Sequence, residues 1–304
     1  MVFILGATAT GKSSLALHIA ERVGGEIISC DSRYLYRGMD IGTAKPSAEE
    51  LAHIQHHLID ILDPEDDYSL ATYLDDAYAA IEEVCARGNL PVVAGGTPLY
   101  LRALLEGWTV PQAPPDLDLR ARLEAQDADE VFALVKAVDP VSAERIGEQN
   151  KRRLIRAYEV FAVTGLPLSD LEGKQPPPYK MFKLGLRQER ESLYERIDKR
   201  VRWMFSNGLL DEATWLVERS VPEQAAAMSA IGYREARAVV LGEMTLQQAI
   251  ESTCNATHRY VRHQETWFRR FEEVIWLDSS NSGLVEEAVD RVDEFVGDQE
   301  SETG

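Results

Sequence analysis

No apolar run in the sequence approaches ~20 residues, so nothing is expected to cross a membrane. The N-terminal stretch VFIL is broken by Gly6 and reads as a strand, not a signal peptide. Cysteine is scarce: Cys30, Cys85 and Cys254 lie far apart, odd in number and without a CxxC pair. That pattern argues against a disulfide frame or a zinc site, and for reduced thiols in a cytoplasmic protein. Positive charge is in deficit, with 32 Lys and Arg against 51 Asp and Glu and a net charge of −19. Such a balance argues against a broadly basic nucleic-acid-binding surface. No internal repeat is visible.

The charge is unevenly spread. Residues 272–304 hold eleven acidic residues against one Arg, and residues 116–148 are also acid-rich. Basic residues cluster in KRRLIR (151–156), RIDKRVR (196–202) and HRYVRHQETWFRR (258–270). An acidic exterior with such patches can still hold RNA locally through counterion release. At 304 residues with 45% hydrophobic content, the chain can bury a full core, as one large domain with an insertion or as two domains.

The stretch GATATGKSS (6–14) follows the apolar VFIL and precedes the amphipathic LALHIAERV. Gly6, Gly11, Lys12 and Ser13 fit Gly-x4-Gly-Lys-Ser, a loop whose backbone N–H groups and following helix N-terminus cradle phosphates. Lys12 is placed to reach outer phosphates and the Ser13 hydroxyl to ligate Mg²⁺. The loop alone does not say which compound carries the phosphates.

Strands are expected at VFILG (2–6), EIISCD (26–31), HLIDIL (57–62), PVVAGG (91–96), FKLGL (182–186) and VIWLD (274–278). Most are continuous apolar runs, as in a parallel sheet buried on both faces. Helical periodicity separates them, so the fold class is α/β: a P-loop NTPase-like, doubly wound parallel sheet. Two Pro-rich linkers, TVPQAPPD and KQPPPYK, bracket polar helical segments. They mark a small helical domain over residues 109–178, inserted into a core of residues 1–108 and 179–304. The closing GDQESETG reads as a disordered tail.

Two residues are expected beside the phosphate loop. Asp31 ends the second strand, at the carboxyl edge where ligands of such sheets bind. A carboxylate there can take a proton or hold Mg²⁺ through water. The PVVAGG strand runs into Thr97 instead of the Asp that holds Mg²⁺ in phosphate-loop ATPases. Asp60 and Asp63 are the possible substitutes. No guanine-reading Asn-Lys-x-Asp is present either, and nucleotide hydrolysis loses ground.

GATATGKSS, DSRYLYRGMDIGTAKP and GGTPLYLRALLEG together resemble the tRNA dimethylallyltransferase (isopentenyltransferase) family. RRLIRAYEVF, LYERIDKRVRWMFSNGLLDEA, AIGYRE and ATHRYVRHQETWFRR extend the resemblance over nearly the whole chain. It implies a cytoplasmic enzyme that transfers a dimethylallyl group to N6 of the adenosine 3′ of the anticodon, in tRNAs reading codons that begin with U. Gly6, Ala7, Thr8, Ala9, Thr10, Gly11, Lys12 and Ser13 would then hold dimethylallyl diphosphate with Mg²⁺. Arg196 and Arg200 are candidates to complete the diphosphate clamp. Asp31 is the candidate base, and Thr97 is implied to position the amine or the bridging oxygen. The family places Asp31, Ser32, Arg33, Tyr34, Thr97, Arg152, Arg153, Arg156 and Thr257, His258, Arg259, Tyr260 against the anticodon stem-loop. Arg120 in the insertion is a weaker candidate for a phosphate contact. Trp267 and Phe268 are read as helix packing.

Two departures from the family pattern concern how RNA is gripped. Many relatives have Gln where Tyr34 stands, and their Thr-Arg-Gln is here Thr257-His258-Arg259. The rival readings are a P-loop small-molecule or nucleoside kinase, which needs ATP, and a non-enzymatic RNA-binding module. Neither gives GMDIGTAKP a job together with a converging Asp31, Lys12 and Thr97. A monomer is expected.

Overall fold

A computed structural model of the chain describes the backbone of residues 1–303 and the side chains of residues 1–298. The apolar runs form strands: β1 (Val2–Gly6), β2 (Gly25–Ser29), β3 (His56–His57) and β4 (Leu90–Gly95). β5 (Trp108–Thr109) and β6 (Gly173–Lys174) make a separate antiparallel pair, and β7 (Phe182–Arg187) and β8 (Ile275–Asp278) return to the main sheet. The six-stranded sheet runs β3-β2-β4-β1-β7-β8, and every pairing in it is parallel.

The register decides where the chemistry falls. Leu5 lies opposite Gly95, and Ser29 opposite Ala94, so β1, β2 and β4 end level with one another. Whatever follows them shares one rim of the sheet. The helix Lys12–Val23 is pinned beneath that rim. Its Leu15, Ala16, Ile19 and Ala20 are buried with Val2, Ile4, Ile27, Val92 and Leu186. Burying Leu15 and Ile19 stabilises by about 1.5–3 kcal/mol each, which holds the helix start against the sheet.

One expected strand is mostly absent. Within HLIDIL (57–62) only His57 joins the sheet, beside His56, and Leu62 makes an isolated bridge to Tyr36; between them Leu58 and Asp60 adopt left-handed φ values of 61° and 55°. The chain curls, and the Asp60 carboxylate accepts from Lys45 Nζ at 2.6 Å. The period-two apolar pattern there belongs to a packed loop. The end of the chain also differs from expectation, since a helix covers Leu284–Thr303 in place of a disordered tail. Val285, Ala288, Val289, Val292 and Val296 form its apolar face and pack on the sheet core. Gly304 lies outside the described residues.

The chain divides into two compact units: Met1–Tyr68, Tyr73–Arg102 and Pro178–Gly304 in one, Ser69–Thr72 and Ala103–Pro177 in the other. The smaller unit has a helical core of its own, including Leu123, Val131, Val135, Leu154, Ile155 and Val160. Glu159 sits fully buried within it. Its carboxylate is held by Arg120 at 2.7 and 2.8 Å, by Arg156 at 2.6 Å and by the Asp116 N–H at 2.8 Å. A buried carboxylate needs this degree of pairing.

Candidate active site

The phosphate-loop motif becomes a cradle through its backbone. Gly6 turns with φ 152°, and a Cβ there would lie 2.6 Å from the Leu186 carbonyl oxygen. Ala9 and Gly11 are left-handed, at φ 65° and 92°. Successive turns of this kind point N–H groups inward and make an anion-binding concavity. Gly11 starts the following helix without a side-chain cap, so the first-turn N–H groups face the loop's interior.

Three cations attend the loop. Lys12 Nζ donates to the Ala7 carbonyl at 2.7 Å, Arg196 Nη1 to that of Ala9 at 2.9 Å, and Arg200 Nη2 to the Thr8 hydroxyl at 2.8 Å. Arg200 Nε is buried and has no partner among the described residues. Burial pushes the Lys12 ammonium down to about 8, with Asp31 opposing and Arg200 adding to the shift. Burial lowers Arg200 as well, against the pull of Tyr34 and Asp31. Concentrated, poorly hydrated positive charge in a protein of net charge −19 calls for an anion.

Asp31 and Thr97 meet as the register requires. Gly95 lets β4 approach the chain leaving β2: a Cβ there would lie 2.0 Å from the Cys30 carbonyl oxygen. Cys30 N–H then bonds Ala94 O at 2.8 Å, and Thr97 N–H bonds Cys30 O at 3.2 Å. The Thr97 hydroxyl accepts from Ser32 N–H at 3.0 Å, and Asp31 Oδ1 accepts from Arg33 N–H at 2.9 Å. Asp31 lines the cavity described below. Gly96 is on the wall beside it, and the Thr97 hydroxyl holds the turn that presents Asp31. Arg33 Nη1 is held by the Ala226 carbonyl, and the Tyr34 hydroxyl by that of Ala44. Burial and the Asp31 charge push the Tyr34 phenol up, while the Ser13 hydroxyl, bonded to it, pulls the other way.

GMDIGTAKP is a locked loop. Glu212 accepts from the N–H groups of Asp40, Ile41 and Gly42 at 2.8, 2.6 and 3.1 Å, and from the Tyr233 hydroxyl at 2.7 Å. Gly42 is obligatory, since a Cβ would lie 2.5 Å from the Tyr233 ring. Lys45 Nζ holds Asp40 and Asp60, both at 2.6 Å, and Asp63 faces Arg37 at 3.3 Å. Asp60 and Asp63 are thereby each paired with a cation of the fold. Among the described residues no cluster of three or more His, Cys, Asp or Glu is poised to hold a metal ion.

These parts enclose a cavity of about 440 Å³. Its lining includes the phosphate loop, Lys12, Arg196 and Arg200, the Asp31 carboxylate, and an apolar portion from Ala44, Val201, Met204, Ala230 and Ile231. The apolar portion and Gln264 were missed by motif reading. Gln264 is 1% exposed and binds both Thr8 N–H and the Gly96 carbonyl. A signal for it exists in the helix Leu246–Phe268, whose buried stripe carries the polar Thr253, Thr257 and Gln264.

The remaining RNA candidates separate into several groups. Arg152 and Arg153 are exposed at the start of the helix Lys151–Thr164. Arg120 and Arg156 both pair with the buried Glu159 and remain partly exposed. Thr257 and Tyr260 line the cavity, and Thr257 donates to the Thr253 carbonyl within the helix. His258 lies 3.0 Å from Asp198 and stacks on Tyr194, with ring centroids 3.9 Å apart, while Arg259 is exposed. Phe268 is buried, and Trp267 is half-buried beneath the Arg102 guanidinium.

A family model described as IPP transferase matches residues 34–271, and one described as isopentenyl transferase matches residues 1–62. A tRNA dimethylallyltransferase of Thermomicrobium roseum is 49% identical over 99% of this chain and 93% of its own length. That of Roseiflexus castenholzii is 45% identical over 95% of each. The solved tRNA isopentenylpyrophosphate transferase of Bacillus halodurans is 37% identical with a TM-score of 0.72, covering 99% of this chain and 96% of that one. A eukaryotic dimethylallyltransferase solved acting on tRNA superposes with a TM-score of 0.85 at 25% identity, over 98% of this chain and 79% of that one.

Proposed function

The chain belongs to the IPP transferase family of tRNA dimethylallyltransferases, and from that premise we propose how its own residues carry the reaction. The donor is dimethylallyl diphosphate and the acceptor is the exocyclic N6 of the adenosine 3′ of the anticodon. The observation that carries the reading is one cavity lined by a cationic phosphate loop, an apolar patch and a carboxylate. The aliphatic side chains of Val201, Met204 and Ile231 suit a five-carbon allylic tail.

The phosphate loop, Lys12, Arg196 and Arg200 hold the diphosphate, and the unpartnered Arg200 Nε supports an oxygen ligand there. The N6 lone pair forms the new bond to the allylic C1 as the C1–O bond breaks and its electrons leave with diphosphate. Asp31 takes the N6 proton. An exocyclic adenine amine is a weak nucleophile, so both proton removal and neutralisation of the leaving group contribute. Thr97 acts one step back, holding the Ser32 N–H and with it the turn bearing Asp31.

Mg²⁺ suits the donor set. The Ser13 hydroxyl is exposed at the loop exit, lines the same cavity and offers a hard oxygen. Among the described residues no cluster of carboxylates gathers there, so diphosphate oxygens and water would complete the ion's shell. The ion's contribution is to neutralise charge on the departing diphosphate. The target base must leave its stack to enter the cavity, which a single-stranded anticodon loop permits at low cost.

Radiolabelled dimethylallyl diphosphate or ATP, each with and without tRNA, tests the reading. Label is expected in tRNA only from the allylic donor. Tighter calorimetric binding of ATP, with phosphate passed to a small acceptor, would restore the kinase. RNA affinity should rest on local patches, because the net charge of −19 gives no long-range attraction. Replacing Arg152 and Arg153 with Ala should weaken tRNA binding and reduce the salt slope by roughly two phosphate contacts' worth. An unchanged slope assigns both to a solvated helix face.

A further inference from the structure

We propose that Gln264 is a positioning residue, whose amide fixes the phosphate loop relative to the turn that presents Asp31. The inference rests on the transferase reading above and deepens it. Gln264 lies in the interior, on the helix Leu246–Phe268, far in sequence from both segments it touches. Its Oε1 accepts from Thr8 N–H at 2.9 Å, and its Nε2 donates to the Gly96 carbonyl at 2.6 Å. Thr8 belongs to the cradle of the leaving diphosphate. Gly96 precedes Thr97, whose hydroxyl takes the Ser32 N–H beside Asp31.

One planar amide therefore spans the leaving-group side and the base side of the reaction. The two jobs are chemically opposite, one accepting and one donating, and a primary amide does both without charge. A carboxylate has no donor for Gly96, a thioether has neither function, and Asn is one methylene too short. Gly96 keeps the space open, since a Cβ there would lie 2.9 Å from Gln264 Nε2 and 3.5 Å from Lys12 Nζ. The Tyr260 hydroxyl backs the same carbonyl at 3.4 Å. The titratable neighbours of the amide are Lys12, Tyr260 and, through Tyr260, Asp31. Geometry errors of about 1 Å cost roughly 100-fold in rate, so a strut of this kind is felt in turnover before it is felt in binding.

Gln264→Glu and Gln264→Met, compared with the native enzyme in single turnover at saturating donor and tRNA, test this. Near neutral pH both variants should lose roughly tenfold to a hundredfold in rate, with donor KM changed much less. As pH falls towards about 6, a growing share of the carboxyl introduced by Gln264→Glu is protonated and regains an O–H donor for Gly96. The ratio of Gln264→Glu to native rate should therefore rise, while that of Gln264→Met stays flat. The uncharged Gln264→Met variant, divided by the native rate in the same way, is the control for the native enzyme's own pH dependence. Melting temperature at each pH separates this from a packing role. A rate ratio that merely follows the melting temperature, or native turnover in either variant, overturns the proposal. Should Gln264→Glu not fold, Gly96→Ala serves instead, because its methyl displaces the amide: lost kcat with little change in KM supports the strut, and unchanged kcat overturns it. Native enzyme that leaves tRNA unlabelled would overturn the transferase reading, a different result.

Discussion

Asp31→Asn is expected to turn over ~10²–10⁴-fold more slowly than the native enzyme, with both substrates bound nearly as well. The side chain uses Oδ1 to accept the Arg33 N–H and so shape its own turn. Asn has an oxygen for that bond and nearly the same volume. What it lacks is a proton acceptor at the cavity wall, where Asp31 stands with Lys12 and Arg200. Loss of turnover at preserved affinity is the signature of an interaction made in the transition state. Donor affinity falling in step with rate would instead make Asp31 an organiser of the metal. Near-native turnover in the variant would hand the base to another residue.

Why Asp31 was legible from sequence, and Gln264 was not, has a physical cause. The strands at VFILG and PVVAGG are continuous apolar runs, and parallel pairing then brings strand ends to one rim. Knowing the strand ends was enough to put Gly6, Asp31 and Thr97 together. Residues from late helices carry no such marker. Gln264 reaches the rim because a distant helix crosses it, and an apolar wall at Val201, Met204, Ala230 and Ile231 looks like any core stripe. HLIDIL failed for the opposite reason. Its alternation was real, but the Lys45–Asp60 pair, reachable only in three dimensions, holds a left-handed turn inside it. The same blindness applied to Arg120 and Arg156, whose pairing with one buried Glu159 no sequence pattern announced. GMDIGTAKP stood out as specific without a visible reason. The reason is Glu212, which gathers three consecutive N–H groups of that loop from far along the chain.

Lys12→Met is expected to lose about 10²–10³-fold in kcat/KM for the allylic donor, the scale of removing one preorganised donor from a developing anion. The native enzyme supplies a sharper test through pH. Burial holds the Lys12 ammonium down to about 8 in the donor-free protein, so kcat/KM, which reports free enzyme, should fall as pH rises through that value. Bound diphosphate brings negative charge to Nζ and raises its affinity for a proton, so donor binding should take up protons above about pH 8. In Lys12→Met this alkaline limb should be missing. Stability moves the other way. A lysine whose folded value lies near 8, against about 10.4 unfolded, binds fewer protons in the native state between those values. Native stability therefore rises with pH across that window, and the cost of the buried charge is present in full below it. Removing the charge should leave the melting temperature near neutral pH unchanged or higher, while activity collapses. A flat alkaline profile in the native enzyme, or a marked drop in melting temperature in Lys12→Met, would mean that Lys12 serves the fold through its bond to the Ala7 carbonyl and not the departing diphosphate.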